Sequence, residues 1–167
     1  MRAVSDAGPL IHLSWIDQLA LLDRLFEEVF VPPAVRDEVL ASPTGTLGLD
    51  RIQWAFAEGW LQVKAPTGPL RLTRSVSDAL DRGEAEALIL SEEIGADFLI
   101  TDDAPARAEA ARRGLQVVGT VGVLTASRDR GLIPAALPLL LELRRLGQWI
   151  SDALLQTVEE DEAEPSS

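Results

Sequence analysis

The chain has no cysteine, a single histidine and a single lysine among its 167 residues. Without thiols there is no disulfide, no thiolate zinc site and no thiol nucleophile. The lone histidine, His12, lies on a helical pattern among Ile11, Leu13 and Trp15 and reads as structural. No Ser–His–Asp site can be built without it, and its surroundings show no nucleophile elbow. The lone lysine, Lys64, is not part of a G-x-x-x-x-G-K-[ST] loop, which excludes a P-loop, and no G-x-G-x-x-G fingerprint follows the first strand. A phosphoryl-accepting receiver would need a lysine after a later strand, and none stands there. Long apolar runs are also missing. The longest, LIPAALPLLL, is short and carries two prolines, so no membrane-spanning segment is expected. Asp6, within MRAVSDAGPLIHLSWI, argues against a signal peptide, and a cytoplasmic location is the expectation.

What the chain does have is acid. The formal charge is −12, with five of the acids in VEEDEAEPSS (Glu159, Glu160, Asp161, Glu162, Glu164), so the body carries −7. An acidic body is a poor electrostatic footprint for a nucleic-acid binder. That inference reverses if several acids gather around divalent cations, because the ions then set the local field. Hydrophobic content of 47% with 25% charged residues is a globular composition, and the length suits one domain with a full core. Trp15, Trp54, Trp60 and Trp149 are scattered, which reads as core or interface, not as a base-stacking platform.

Short β-type runs alternate with helical ones. RAVS (2–5) precedes a helical stretch PLIHLSWIDQLALLDRLF, and EVFV (28–31) precedes PPAVRDEVL, whose proline suits a first helical turn. LDRIQWAFAEG reads as a helix ended by Gly59, WLQVK as a strand, and APTGPLRLTR as the loosest region. The helix GEAEALILSEEIG, the strand DFLIT, the helix APARAEAARRG and the strand LQVVG follow, and then mostly helix. This alternation predicts a parallel sheet covered on both faces, forming one domain over residues 1–158 with a disordered acidic tail at 159–167. Ligands of such folds bind beyond the carboxyl ends of the strands, where strand order reverses.

Carboxylates stand at those ends. In FLITDDAPAR, an apolar strand delivers Asp102 and Asp103 side by side, and such neighbours need a helix terminus, a basic partner or a cation. A helix cap accounts for Asp103 and leaves Asp102 unexplained. Asp6 follows the first strand in the same way; its structural reading is a turn residue, with the helix cap placed more naturally at Gly8. Glu38 lies three residues after Val35 and beside Val39, so it borders the buried side of its helix, while Asp37 points away. Glu84 completes an Asp81-x-x-Glu84 capping arrangement and also stands at the buried edge of a helix, so Glu86 must point elsewhere. Oxygen ligands without histidine or cysteine suit Mg²⁺ or Mn²⁺, and a pair of such ions can stabilise both oxygens of a phosphodiester displacement. Arg82 and Arg107 are candidate phosphate contacts that could equally be solvated surface residues.

VSDAGPLI, VPPAVRDEVL, DRGEAEALILSEEIGADFLITDDAPAR and GLQVVGTVGVL together resemble the PIN-domain family, in its prokaryotic branch related to VapC-type toxins. The resemblance implies an α/β/α sandwich with a central parallel sheet and an acidic pocket for Mg²⁺ or Mn²⁺. It also implies cleavage of single-stranded RNA. Carried over by position, Asp6, Glu38 and Glu84 match the first three acids; Asp103 best matches the last, with Asp102 a close competitor. Two departures stand out. Gly8 occupies a place where the family often has serine or threonine, and the third acid is glutamate, where aspartate is commoner. The resemblance further implies a homodimer and an antitoxin partner, as in a type II toxin–antitoxin pair. The alternatives are a non-catalytic scaffold that binds protein or RNA, and a phosphatase of similar layering. The phosphatase commonly needs an aspartate where Gly8 stands.

Overall fold

The computed structural model describes residues 1–69 and 71–164. In chain order the elements are β1 (Arg2–Ser5), α1 (Ala7–Trp15), α2 (Leu21–Leu25), β2 (Glu28–Val31), α3 (Pro33–Leu40), α4 (Leu49–Glu58) and β3 (Leu61–Val63). They continue with α5 (Arg74–Ala79), α6 (Arg82–Glu93), β4 (Phe98–Ile100), α7 (Ala104–Arg112), β5 (Val117–Val118), α8 (Thr120–Asp129), α9 (Leu137–Arg145) and α10 (Asp152–Ala163). The sheet is parallel throughout, in the order β3-β2-β1-β4-β5.

Side chains alternate across the strands and divide the core in two. Ala3, Val29, Val31, Leu61 and Ile100 face a large core completed by α1, α2, α4, α8, α9 and α10. Their neighbours Val4, Phe30 and Leu99 face the opposite way, against Ala85, Leu88, Ala106 and Ala110 of α6 and α7. The result is the three-layer α/β/α sandwich. Strands buried on both faces explain why EVFV and FLI read as unbroken apolar runs. No helix among the described residues is long and apolar enough to cross a membrane.

Strand order reverses between β1 and β4. The chain steps outward from β1 to β2 to β3, then returns to the other side of β1 for β4 and β5. Ser5 pairs with Ile100, and the Asp6 amide donates to the Ile100 carbonyl at 2.9 Å, one residue past the strand. The Thr101 amide likewise donates to Val118 at 3.0 Å. Asp6 and Thr101 are therefore held by the ladder itself at the switch point.

Three expectations need correction. The helix expected across residues 9–26 breaks into α1 and α2, because Asp17 takes the left-handed conformation (φ 57°). Its amide donates to Ser14 and that of Gln18 to Leu13, a Schellman closure, while Arg51 holds the Asp17 carboxylate. A short helix, α5, forms where none was expected; no residue of it is buried, so it left no apolar stripe to read. The acidic run from Glu159 is not a disordered tail, because α10 continues through Ala163. Glu162 turns inward, accepting from the Ala136 amide at 2.5 Å and the Leu137 amide at 3.2 Å, and it pairs with Arg128 at 3.2 Å. It thereby neutralises the positive end of α9. Residues 165–167 of that expectation lie outside the described residues.

Candidate carboxylate centre at the strand switch point

Asp6 is the most buried of the candidate acids, 6% exposed. It is the N-cap of α1, which begins at Ala7, so the cap is not at Gly8. Its Oδ1 accepts from the Ala7 amide at 2.7 Å and its Oδ2 from the Thr101 hydroxyl at 3.1 Å. Burial lifts its pKa from 3.8 to about 6 against those two hydrogen bonds, and the charges of Asp81 and Glu38 push the same way. A mutational cap reading and a site reading thus describe the same side chain.

Glu84 forms a true capping box with Asp81: the Glu84 amide donates to Asp81 Oδ1 at 2.7 Å, and the Asp81 amide donates to Glu84 Oε2 at 2.9 Å. Burial raises the Glu84 pKa to about 7, and the Asp81, Asp103 and Asp6 charges reinforce the rise. Glu38 stands at the exposed rim on α3; burial of its carboxyl and the Asp81 charge raise it as well. Glu38 Oε2 and Asp81 Oδ1 lie 3.3 and 3.5 Å from where a Cβ on Gly83 would sit, and Val35 lies 3.2 Å from it. The glycine lets α3 and α6 approach until the two carboxylates border one cleft of about 390 Å³. Asp37 pairs with Arg36 at 2.8 Å, and Glu86 turns to the Ala34 amide at the start of α3, with Arg82 on its other oxygen at 3.0 Å.

The adjacent aspartates part company. Asp103 caps α7, accepting from the Ala106 amide at 2.8 Å, and its own amide donates to the Thr101 hydroxyl at 3.2 Å. Thr101 so links Asp103 to Asp6. Asp102 turns the other way, to the N-terminus of α8, where the Thr120 amide donates at 2.7 Å; its second oxygen meets the Thr120 hydroxyl and, at 3.2 Å, His12 Nδ1. Burial pushes Asp102 up, but His12 and Thr120 outweigh it and hold its carboxyl below the usual range. The pair of charges is resolved by two helix termini. His12 orients Asp102 and stacks edge-on against Trp15, their ring centroids 5.0 Å apart, in keeping with a structural role.

Asp6 thus feels the charges of Asp81 and Glu38, Glu38 that of Asp81, and Glu84 those of Asp81, Asp103 and Asp6. Asp81 belongs to the group, although sequence reasoning stopped once its role as a cap explained it. The usable signal was its spacing: a cap at the start of α6 faces whatever the first turn of α6 faces.

The donor set, hard carboxylate oxygens on desolvated and mutually repelling groups, fits a divalent cation such as Mg²⁺ or Mn²⁺ in kind. Among the described residues no three potential ligands stand close enough to hold one as they lie. Side-chain rotation must therefore complete any site, and the exposed Glu38 is freest to supply it. At Gly8 a Cβ would meet nothing within 4 Å, so the space for the missing hydroxyl is open, while Thr101 already gives Asp6 one.

A family model described as PIN domain matches residues 2–164. Among solved structures, a PilT N-terminus domain protein from the hyperthermophilic archaeon Sulfolobus solfataricus P2 is similar in fold, with a TM-score of 0.53 and 20% identity. The match covers 76% of this chain and 93% of that one. No curated protein is significantly similar. The PIN fold is in general a nuclease fold whose members use divalent metals, and this chain, matched over nearly its whole length, belongs to the PIN-domain family.

Proposed function

We propose that the protein is a divalent-cation-dependent ribonuclease that hydrolyses phosphodiesters of single-stranded RNA at the switch point between β1 and β4. The supporting observation is the gathering of Asp6, Glu38, Glu84 and Asp103 from four separate segments, with the carboxyls of the first three raised by burial and by the charge of neighbouring acids, Asp81 among them. Such repulsion weakens a fold unless a cation offsets it. Asp6, Glu38, Glu84 and Asp103 are the residues that would hold Mg²⁺ or Mn²⁺, with Asp81 close by; a bound ion supplies positive charge against the phosphate oxygens.

The chain's own groups divide the remaining work. Asp6 is fixed by the Ala7 amide and the Thr101 hydroxyl, so its position does not depend on substrate. Glu84 keeps Oε1 clear among the described residues while Oε2 accepts from the Asp81 amide, so one of its oxygens is free for a ligand. Asp102, engaged at α8 by Thr120 and His12, positions the β4–α7 turn.

The test is cleavage of a single-stranded RNA with Mn²⁺. Wild type is expected to cut and Asp6→Asn to lose cutting while keeping its helical circular dichroism. Equal cleavage by both proteins overturns the proposal. A role as the toxin of a type II pair, with a dimer and an antitoxin, rests on the family resemblance. Co-expression with the neighbouring reading frame, followed by assay of the purified complex for inhibited cleavage, tests it. The scaffold reading is favoured by one observation, the lack of three converged ligands; calorimetry showing no Mn²⁺ binding at millimolar concentration would establish it.

A further inference from the structure

Beside the carboxylate centre, past the edge strand β5, lies a groove of about 580 Å³ that the acids do not enter, except for Asp102 at its floor. Arg107, Gly119, Gln148, Trp149 and Ser151 line it. We propose that this groove holds one nucleotide of single-stranded RNA, its base stacked on Trp149 and its phosphate on Arg107. The inference rests on the nuclease reading of the neighbouring centre and adds the subsite that presents the strand to it.

Three observations carry it. Trp149 is 85% exposed, the most exposed large apolar side chain among those described, yet its backbone is not loose. The Gly147 and Gln148 amides close α9 onto Arg144 and Leu143, Ile150 is buried, and Ser151 caps α10 through the Leu154 amide. An indole held this way pays little ordering entropy when a flat partner covers it. Arg107 donates to the Thr101 carbonyl at 3.0 Å and pairs with no carboxylate among the described residues, whereas Arg112 and Arg113 of the same helix both pair with Glu109. Asp102, the acid at the floor, is already satisfied by Thr120 and His12, so it leaves the guanidinium free for phosphate. The groove also borders the switch point directly, since its floor is the residue before Asp103 and the turn after β5. Aromatic stacking of a base combined with a cationic contact to the backbone is how proteins hold single strands.

The test uses full chains carrying Asp6→Asn, so that binding is read without cutting. Fluorescence anisotropy of a labelled single-stranded RNA oligonucleotide in Mg²⁺ compares this background with added Trp149→Ala, Trp149→Phe or Trp54→Ala. Trp149→Ala is expected to weaken binding roughly 5- to 150-fold, Trp149→Phe to retain most of the affinity, and Trp54→Ala to change nothing. No binding by the background, or equal affinity with and without Trp149, overturns the proposal. So does a Trp149→Ala variant that turns a dimer into a monomer at unchanged RNA affinity, which would assign the groove to a second copy of the chain. Cleavage by the otherwise wild-type protein separates the two readings. Cutting with a KM that Trp149→Ala leaves unchanged removes the groove alone. Trp149-dependent binding without any cutting removes the nuclease reading and leaves the groove as an RNA site.

Discussion

Replacing Asp6 by asparagine is expected to make the apo-protein more stable at pH 8 while abolishing activity. In the folded chain the Asp6 carboxyl titrates near 6, against an ordinary 3.8, because it is buried beside other acids. The folded state therefore binds this proton more tightly than the unfolded chain. The contribution is fully present below about 3.8, falls as pH rises through about 6, and is a constant penalty above it. At about 1.4 kcal/mol per tenfold in proton affinity, the penalty is on the order of 3 kcal/mol. Asparagine removes the charge but keeps an acceptor for the Ala7 amide. Its NH₂ must face the Thr101 hydroxyl, which already accepts from Asp103, at a cost of about 1 kcal/mol. The net expectation is a gain of about 1–2 kcal/mol at pH 8 and a loss of about 1 kcal/mol near pH 4. Urea denaturation in chelator, followed by tryptophan fluorescence for both proteins at both pH values, measures it. A stability difference that does not change between the two pH values would refute the reasoning. Mn²⁺ at about 100 times its dissociation constant should restore about 2.7 kcal/mol to wild type and nothing to the variant.

Other outcomes follow from the same geometry. Gly8→Ser, which enters open space in the first turn of α1, is expected to raise thermal stability slightly, by about 0.5 kcal/mol, and to leave Mn²⁺ binding at least as tight. Asp102→Asn should cost about 1 kcal/mol by weakening the α8 terminus, yet leave Mn²⁺ affinity within a few-fold, whereas Asp103→Asn should weaken Mn²⁺ binding; calorimetry on both distinguishes the adjacent aspartates. Gly119→Ala places a Cβ 2.7 Å from Asp102 Oδ1 and 2.8 Å from the Arg107 guanidinium, and should destabilise by about 1–3 kcal/mol in denaturation. Glu162→Gln, in α10 and bonded to the start of α9, should lower stability by about 1–2 kcal/mol; a neutral result would contradict the inward turn of the acidic run.

What the sequence disclosed, and what it hid, follows from distance along the chain. The three inner strands were legible because burial on both faces leaves short apolar runs with nothing to alternate, whereas the edge strands β3 and β5 are only partly buried and were placed by their alternation with helices. Asp6 and Asp103 could be brought together on paper, since both follow strands and a parallel sheet puts all strand ends on one side. The approach of Glu38 to Asp81 was not readable, because it depends on α3 meeting α6 at Gly83. The order of the acidic run was hidden for the same reason: the partners of Glu162 are 25 or more residues away in α8 and at the start of α9. The separation of Asp102 from Asp103 needed the N-terminus of α8, eighteen residues on. The break after α1 turned on an aspartate in a conformation that sequence assigns to glycine.

A crystal soaked in Mn²⁺ and measured for anomalous scattering examines the central idea most directly. The expected result is a peak bounded by the Asp6, Glu84 and Asp103 carboxylates, with Glu38 rotated toward it, and no such peak in Asp6→Asn crystals treated alike. A Mn²⁺ peak elsewhere, or none at millimolar concentration with these four side chains unmoved, would contradict it.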